Sequence, residues 1–200
     1  MKNMIKDAAV LFVITVAAGL ILGFVYQITK EPIALAEEKA ANEAYAEVFA
    51  DASSFEECAL ADPAADPVWT EEYKAVDIEK ALEAKDGAGS VLGYILTVTS
   101  HEGYGGDITF TMGIRMDRTL NGISILDISE TAGLGMKAEA VLKPQFQNKN
   151  VSNFTYTKTG ASSESQIDAI SGATITTNAV TTAVNAGLYY FQTQLGGNAG

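Results

Sequence analysis

A single cysteine and a single histidine in 200 residues exclude a disulfide framework. Alone they cannot supply the ligands of a zinc or iron–sulfur site, so no metal centre is expected. Basic residues number 13 against 25 acidic ones, a net charge of -12. Such a chain has nothing to neutralise phosphates along a duplex, which excludes a nucleic-acid partner. Charged residues are only 19% of the chain and apolar residues 48%, which excludes a disordered acidic tail. Neither G-x-G-x-x-G nor G-x-x-x-x-G-K-[ST] occurs, so the usual dinucleotide and P-loop signatures are missing. No carboxylate pair stands out for acid–base work. His101, in a turn, reads as solvent-exposed and without a role, and Cys58 as an unpaired thiol. No catalytic residue is therefore expected. A polypeptide this poor in reactive side chains must borrow any redox chemistry from a cofactor.

Charge is unevenly distributed. Residues 1–30 carry Lys2, Lys6 and Lys30 against Asp7, leaving ten basic and twenty-four acidic residues for the rest. Residues 8–26 carry no charge. As a helix they span about 28 Å, close to the hydrocarbon thickness of a bilayer. Gly19 and Gly23 form a small-xxx-small pair that would admit a neighbouring helix, or are simply tolerated in a membrane span. The basic residues before this segment and the acidic chain after it place the N-terminus in the cytoplasm and residues 31–200 outside. A cleaved signal peptide is the competing reading, since Ala34-Leu35-Ala36 has the A-x-A form. The apolar run is too long for a usual signal, and Lys30 and Glu31 intervene.

The body reads as α+β: an antiparallel sheet with flanking helices, preceded by one N-terminal transmembrane helix. Pro32 suits the first turn of a helix over residues 32–51, with Tyr45, Val48 and Phe49 on one face. The Asp62-Pro63-Ala64-Ala65-Asp66-Pro67 stretch is a loop. Residues 68–77 are weakly strand-like and 90–99 strongly so. Ile108, Phe110, Met112, Ile114 and Met116 alternate with smaller or polar residues, and Asn121-Gly122 signals a hairpin over 107–128. Short and long helices are expected over 137–146 and 174–191, the second with Val180, Val184, Leu188 and Phe191 on one stripe. Three parts follow: a cytoplasmic N-terminus and anchor (1–30), an extracytoplasmic helix and linker (31–67), and a folded domain (68–200).

Three turns could carry chemistry. Asp168-Ala169-Ile170-Ser171-Gly172-Ala173-Thr174 opens the last helix, where unpaired N–H groups and the helix dipole favour a phosphate. Ser171, Thr174, Thr176 and Thr177 add hydroxyls; a simple helix cap is the plainer alternative. Glu130-Thr131-Ala132-Gly133-Leu134-Gly135-Met136-Lys137 and Gly103-Tyr104-Gly105-Gly106-Asp107 are the other two. Together they suit one flat, phosphate-bearing ligand.

The run Asp168-x-x-Ser171-Gly172-Ala173-Thr174 resembles the flavinylation motif D-x-x-(S/T)-G-A-T of extracytoplasmic FMN-binding domains. Gly103-Tyr104-Gly105-Gly106 and Glu130-Thr131-Ala132-Gly133-Leu134-Gly135 resemble that family's GYGG and ETPGLG segments, with Ala132 where Pro is frequent. With one anchor and this length, the whole chain is similar to the G subunits of Rnf ion-translocating ferredoxin:NAD oxidoreductase complexes. The related C subunits of sodium-pumping NADH:quinone reductases are usually longer.

The resemblance implies covalent FMN on Thr174 through a phosphoester, installed by a flavin transferase that recognises Asp168. It implies Ser171, Gly172, Ala173 and Thr177 near the phosphate. Glu130, Thr131, Gly133, Leu134, Gly135, Lys137, Tyr104 and Gly105 would lie by the rest of the flavin. The implied role is an electron-transfer subunit of a membrane translocase, with the other Rnf subunits as partners. A quinone-reductase C subunit and a non-enzymatic anchored binding module remain alternatives. The coupling ion is not legible, because the apolar segment holds no carboxylate.

Overall fold

The computed structural model describes residues 2–63 and 66–196, and divides into two units between Ala40 and Ala41. The first unit lies within helix α1 (Lys2–Val48). Among the described residues this is the one helix long and apolar enough to cross a membrane. Its large apolar side chains, such as Phe12, Leu20, Ile21 and Phe24, are exposed, as a lipid-facing span requires. A Cβ on Gly19 or Gly23 would meet nothing within 4 Å. Pro32 lies inside α1 and does not open a second helix. Proline removes one hydrogen bond, and the Ala- and Glu-rich sequence after it keeps the helix going.

In the second unit, five antiparallel strands form one sheet in the order β1 (Ser54–Glu57), β2 (Val76–Lys85), β3 (Val91–Ser100), β4 (Ile108–Arg115) and β5 (Leu120–Ile128). Because β1 and the last turns of α1 belong to this unit, the folded body begins well before residue 68. The second unit thus takes in residues from Ala41 onward. Of the expected loop over 62–67, Ala64 and Ala65 lie outside the described residues. Where a weak strand was expected after residue 67 there is a short helix, α2 (Pro67–Glu72). Asp66 Oδ1 accepts from Val68 N at 2.9 Å and Pro67 stands at the first helical position. These two start signals outweigh the β preference of Val68 and Trp69.

The β4–β5 hairpin is present, but Asn121-Gly122 is not its turn. The chain reverses at Asp117-Arg118, where Arg118 takes φ 71° and Asp117 accepts from Thr119 N at 2.9 Å. Pairing slips between Gly113–Gly122 and Ile114–Leu120, which leaves Asn121 in a bulge. Its freed side chain donates to Val48 O (2.8 Å) and accepts from Arg115 Nε (2.8 Å), holding the end of α1 on the sheet.

Both faces of the sheet are covered. One packs against helix α4 (Thr174–Gln194), with Phe110, Met112 and Leu96 in a single cluster with Val180, Val184, Leu188 and Phe191. Ala179, Ala183 and Ala186 are buried as well, so more of α4 than the expected stripe is inside. The other face carries Leu82, Ala84 and Ile95 under Tyr45, Val48 and Phe49, at the end of α1. A Cβ on Gly113 would stand 2.7 Å from Val48 O, so the helix end and the strand meet only because that position is glycine.

Polar contacts fix the same junction. The Arg115 guanidinium lies 5.5 Å from the Phe49 ring centre and 2.9 Å from Asp51 Oδ2. Glu47 accepts from Ser124 Oγ (2.5 Å) and pairs with Lys143 Nζ (2.7 Å). Partial burial pushes the Glu47 carboxyl up, but hydrogen bonds from Lys143 and Ser124 and the Lys143 charge outweigh it, so its pKa lies below the ordinary value. The chain continues through a 3₁₀ turn (Gly135–Lys137), α3 (Ala138–Val141), a second 3₁₀ turn (Lys143–Phe146) and the parallel pair β6 (Thr155–Thr157) and β7 (Gln166–Asp168). The expected single helix over 137–146 is therefore broken, with Pro144 in its last segment.

The junction can be tested at two residues. Phe49→Ala empties a site that is 1% exposed, and should cost about 3–5 kcal/mol in urea unfolding of the full chain in detergent. A loss below about 1 kcal/mol would mean that the helix end contributes nothing to the core. The Glu47 contribution is present above its unfolded pKa of about 4.3 and disappears as pH falls through the lower native value. Glu47→Gln should remove that acid-side component of the stability profile.

Candidate functional site

Helix α4 begins without a side-chain cap. Its N-cap is Ala173, and no hydroxyl or carboxylate closes the first turn. The first intrahelical bond runs from Thr177 N to Ala173 O at 3.0 Å. The amides of Thr174, Ile175 and Thr176 therefore have no carbonyl of their own helix within reach. Thr177 is fully buried; its Oγ1 donates to Ala173 O (2.9 Å) and accepts from Ile170 N (3.1 Å). That bond ties residues 170–173 down and leaves the first turn open.

The three turns singled out in the sequence meet here. A cavity of about 470 Å³ is lined by Tyr104 of the first turn and by Glu130, Thr131, Leu134 and Gly135 of the second. Gly172, Ala173, Thr174, Ile175 and Thr176 of the third complete it. Tyr104, Leu134 and Ile175 give the lining exposed apolar side chains, and Glu130 and the threonines give it polar ones. Thr174 also lines a second concavity of about 380 Å³, with Glu102, Tyr156, Ile175 and Asn178. Its side chain thus stands on a ridge, half-buried and reachable from outside.

Glu130 joins the turns. It is 9% exposed, and its Oε1 accepts from Tyr104 N at 2.7 Å and Gly105 N at 3.4 Å. Gly135 passes so close that an added Cβ would lie 2.7 Å from Glu130 Cβ and 2.6 Å from Thr176 Oγ1. Only glycine lets the second turn reach the first turn of α4.

The cavity wall does not include Ser171, Thr177, Gly133, Lys137, Gly105 or Asp168. Ser171, Gly133 and Lys137 are exposed beside it. Gly105 contributes an amide to Glu130. Asp168 Oδ1 accepts from Ala161 N at 2.7 Å, and its backbone is held by Gln145. The sequence offered Thr176 only as one of four hydroxyls and did not single out Ile175. Both lie in the first turn after the cap, where every amide points the same way, and that position was the available signal.

The donor set suits a flat, phosphate-bearing cofactor such as FMN. The first turn of a 21-residue helix, with Thr174, Ile175 and Thr176 in it, brings its positive end and uncapped amides to the cavity lining. Tyr104, Leu134 and Ile175 would offer apolar surface to a ring. A lining of this composition fits a carrier of a flavin-type cofactor.

Comparison with known proteins agrees. Residues 103–189 match the FMN-binding domain family, and residues 1–48 match the RnfG N-terminal region. The chain is 33% identical to the G subunit of the Na(+)-translocating ferredoxin:NAD(+) oxidoreductase complex of Acetobacterium woodii, covering 96% of this chain and 93% of that one. It is 31% identical to the G subunit of the ion-translocating oxidoreductase complex of Methanosarcina acetivorans, over 98% of both. Among solved structures it resembles Shewanella oneidensis NqrC, with a TM-score of 0.50, 16% identity, and coverage of 73% of this chain and 83% of that one. That likeness confirms the antiparallel sheet flanked by helices. The chain belongs to the family of G subunits of ion-translocating oxidoreductase complexes.

Gly135→Ala tests the close approach of the second and third turns. It should lower stability by about 1–3 kcal/mol, read as a lower thermal midpoint. An unchanged midpoint would show that the turn yields without consequence.

Proposed function

We propose that the chain is a membrane-anchored electron-transfer subunit that carries FMN through a phosphoester on Thr174 and works within an Rnf-type ferredoxin:NAD oxidoreductase. The observation that carries this reading is the position of Thr174. Its hydroxyl stands at the first residue of α4, on the cavity wall, beside three uncapped amides. End-to-end similarity to G subunits supports the partners: the other membrane and peripheral subunits of the complex.

Attachment follows from the chemistry of that hydroxyl. With FAD as donor in a flavin transferase, the Thr174 oxygen forms a bond to phosphorus and gives up its proton, and AMP leaves as the pyrophosphate bond breaks. The ridge position makes Thr174 accessible to such an enzyme. Asp168, exposed on β7 and three residues before Ser171, is the recognition element for the transferase. The amides of Thr174, Ile175 and Thr176, with Ser171 and Gly172 nearby, then balance the phosphate charge. Leu134, Ile175 and Tyr104 would lie against the ring and shield it from water. Bound FMN supplies reversible one- and two-electron chemistry. The chain itself supplies position and retention and moves no proton.

The basic flank of α1 supports an N-terminus in the cytoplasm, with the FMN-bearing body on the extracytoplasmic side. There a reversibly bound cofactor would be lost by mass action, whereas an ester is not.

Production of the full chain with a flavin transferase provides the test. The denatured band should fluoresce under ultraviolet light and carry the mass of one FMN. Thr174→Val should be dark, and Thr176→Val should remain bright. A bright Thr174→Val band would move the attachment site elsewhere.

A further inference from the structure

His101 does not behave as an idle turn residue. It follows β3 immediately, and its backbone N–H donates to Ala75 O at 2.9 Å. Its ring bridges two strands: Nε2 lies 3.0 Å from Asp77 Oδ2 on β2, and Nδ1 lies 3.0 Å from Asp107 Oδ1 at the start of β4. Asp107 closes the turn that His101 opens. The bridge is therefore the neck of the loop that carries Gly103, Tyr104 and Gly105 to Glu130 and the cavity.

Ionised carboxylates only accept hydrogen bonds, and a neutral imidazole has one N–H. Two such contacts at once need both ring nitrogens protonated. The ring is partly exposed, and its surroundings are mostly acidic. Asp77 and Glu79 come from β2, Glu102 and Asp107 from the loop itself, and Glu130 from the turn beneath. Lys74, next to Ala75, is the basic residue of the adjoining segment. Hydrogen bonds to Asp77 and Asp107 hold the His101 pKa above its ordinary value, against a small opposing effect of burial. The folded chain thus favours the cation more than a free imidazole does.

We propose that His101 is a positioning residue whose doubly protonated ring clasps Asp77 and Asp107, and that this clasp holds the Tyr104 loop against Glu130 over the cavity. Below the unfolded pKa of about 6.5 the clasp contributes fully; as pH rises through the higher folded value it is lost. Tyr104 then loses its neck restraint on the alkaline side. The consequence for bound flavin rests on the FMN reading above, but the loop restraint itself does not.

Hydrogen exchange of the full cofactor-free chain in detergent, corrected for intrinsic rates across pH 5.5–9, tests the clasp. The Tyr104 and Gly105 amides should be most protected at low pH. They should lose about tenfold protection for each unit by which the folded pKa exceeds the unfolded one. His101→Gln should show the low protection at every pH, and His101→Arg, with a permanent charge, should keep its protection without a pH step. A flat wild-type profile, or a His101→Gln profile parallel to wild type, would overturn the proposal. In the flavin-loaded chain, flavin fluorescence should step at the same midpoint. A pH-dependent exchange profile with an unresponsive flavin would refute the coupling to the site. A chain that takes up no flavin would refute the FMN reading and leave the exchange result to decide on His101.

Discussion

A carboxylate with 9% of its surface exposed is costly unless its lone pairs are taken up, and Glu130 meets that requirement with backbone amides from another turn. The rest of the site depends on this. Tyr104 is brought to the cavity because its N–H, together with that of Gly105, solvates Glu130. The second turn reaches α4 because Gly135 leaves room beside the same side chain. One acidic residue thereby converts three separate chain reversals into one wall. Its backbone partners also explain the glycines around it: a side chain on Gly105 would strike the carbonyl oxygen of Ser129.

The sheet supports this corner by being packed on both sides. Helix α4 covers one face, and its opening turn lines the cavity. The end of α1 covers the other face through Phe49, Val48 and Tyr45. The last turns of the helix that begins as the apolar span therefore close the core of the folded unit and are no mere tether to it. Asn121, Arg115 and Ser124 hold them there from β4 and β5, the strands that lead into the Glu130 turn.

Much of this was legible in the residues. The period-two alternation of Ile108 to Ile114 predicts β4, the uncharged run predicts the apolar helix, and the small residues before Thr174 predict an open helix start. What was hidden follows from competing local signals. Asn121-Gly122 has the composition of a hairpin turn, but Asp117 and Arg118 make the reversal and the Asn side chain is spent on α1. Asp66 and Pro67 start a helix that the β-formers after them disguise. Pro32 suggests a break that the surrounding helix formers override. At the site, the glycine and hydroxyl turns were visible one by one. Thr177 stood out as a hydroxyl near a phosphate, yet it serves the loop beneath. His101 stood out as nothing at all, because its contacts bridge separate strands, Asp77 from β2 and Asp107 from the far end of its own turn.

The electrostatics give the proposed ester its physical rationale. The residues lining the cavity include Glu130 and no lysine or arginine, and the chain beyond residue 30 is strongly acidic. Lys137, the one cation in the three turns, is exposed and off the cavity wall. A phosphate here would be met by the dipole and amides of α4 and by neutral hydroxyls, with no full positive charge on the wall. Such a site can orient an anion but offers little against dilution in an open aqueous compartment. The proposed bond at Thr174 would separate retention from affinity. It would free the wall to be shaped for the ring and for a partner, with no need for the basic cluster that reversible phosphate binding would demand. An acidic surface and a phosphate-bearing cofactor are compatible on those terms.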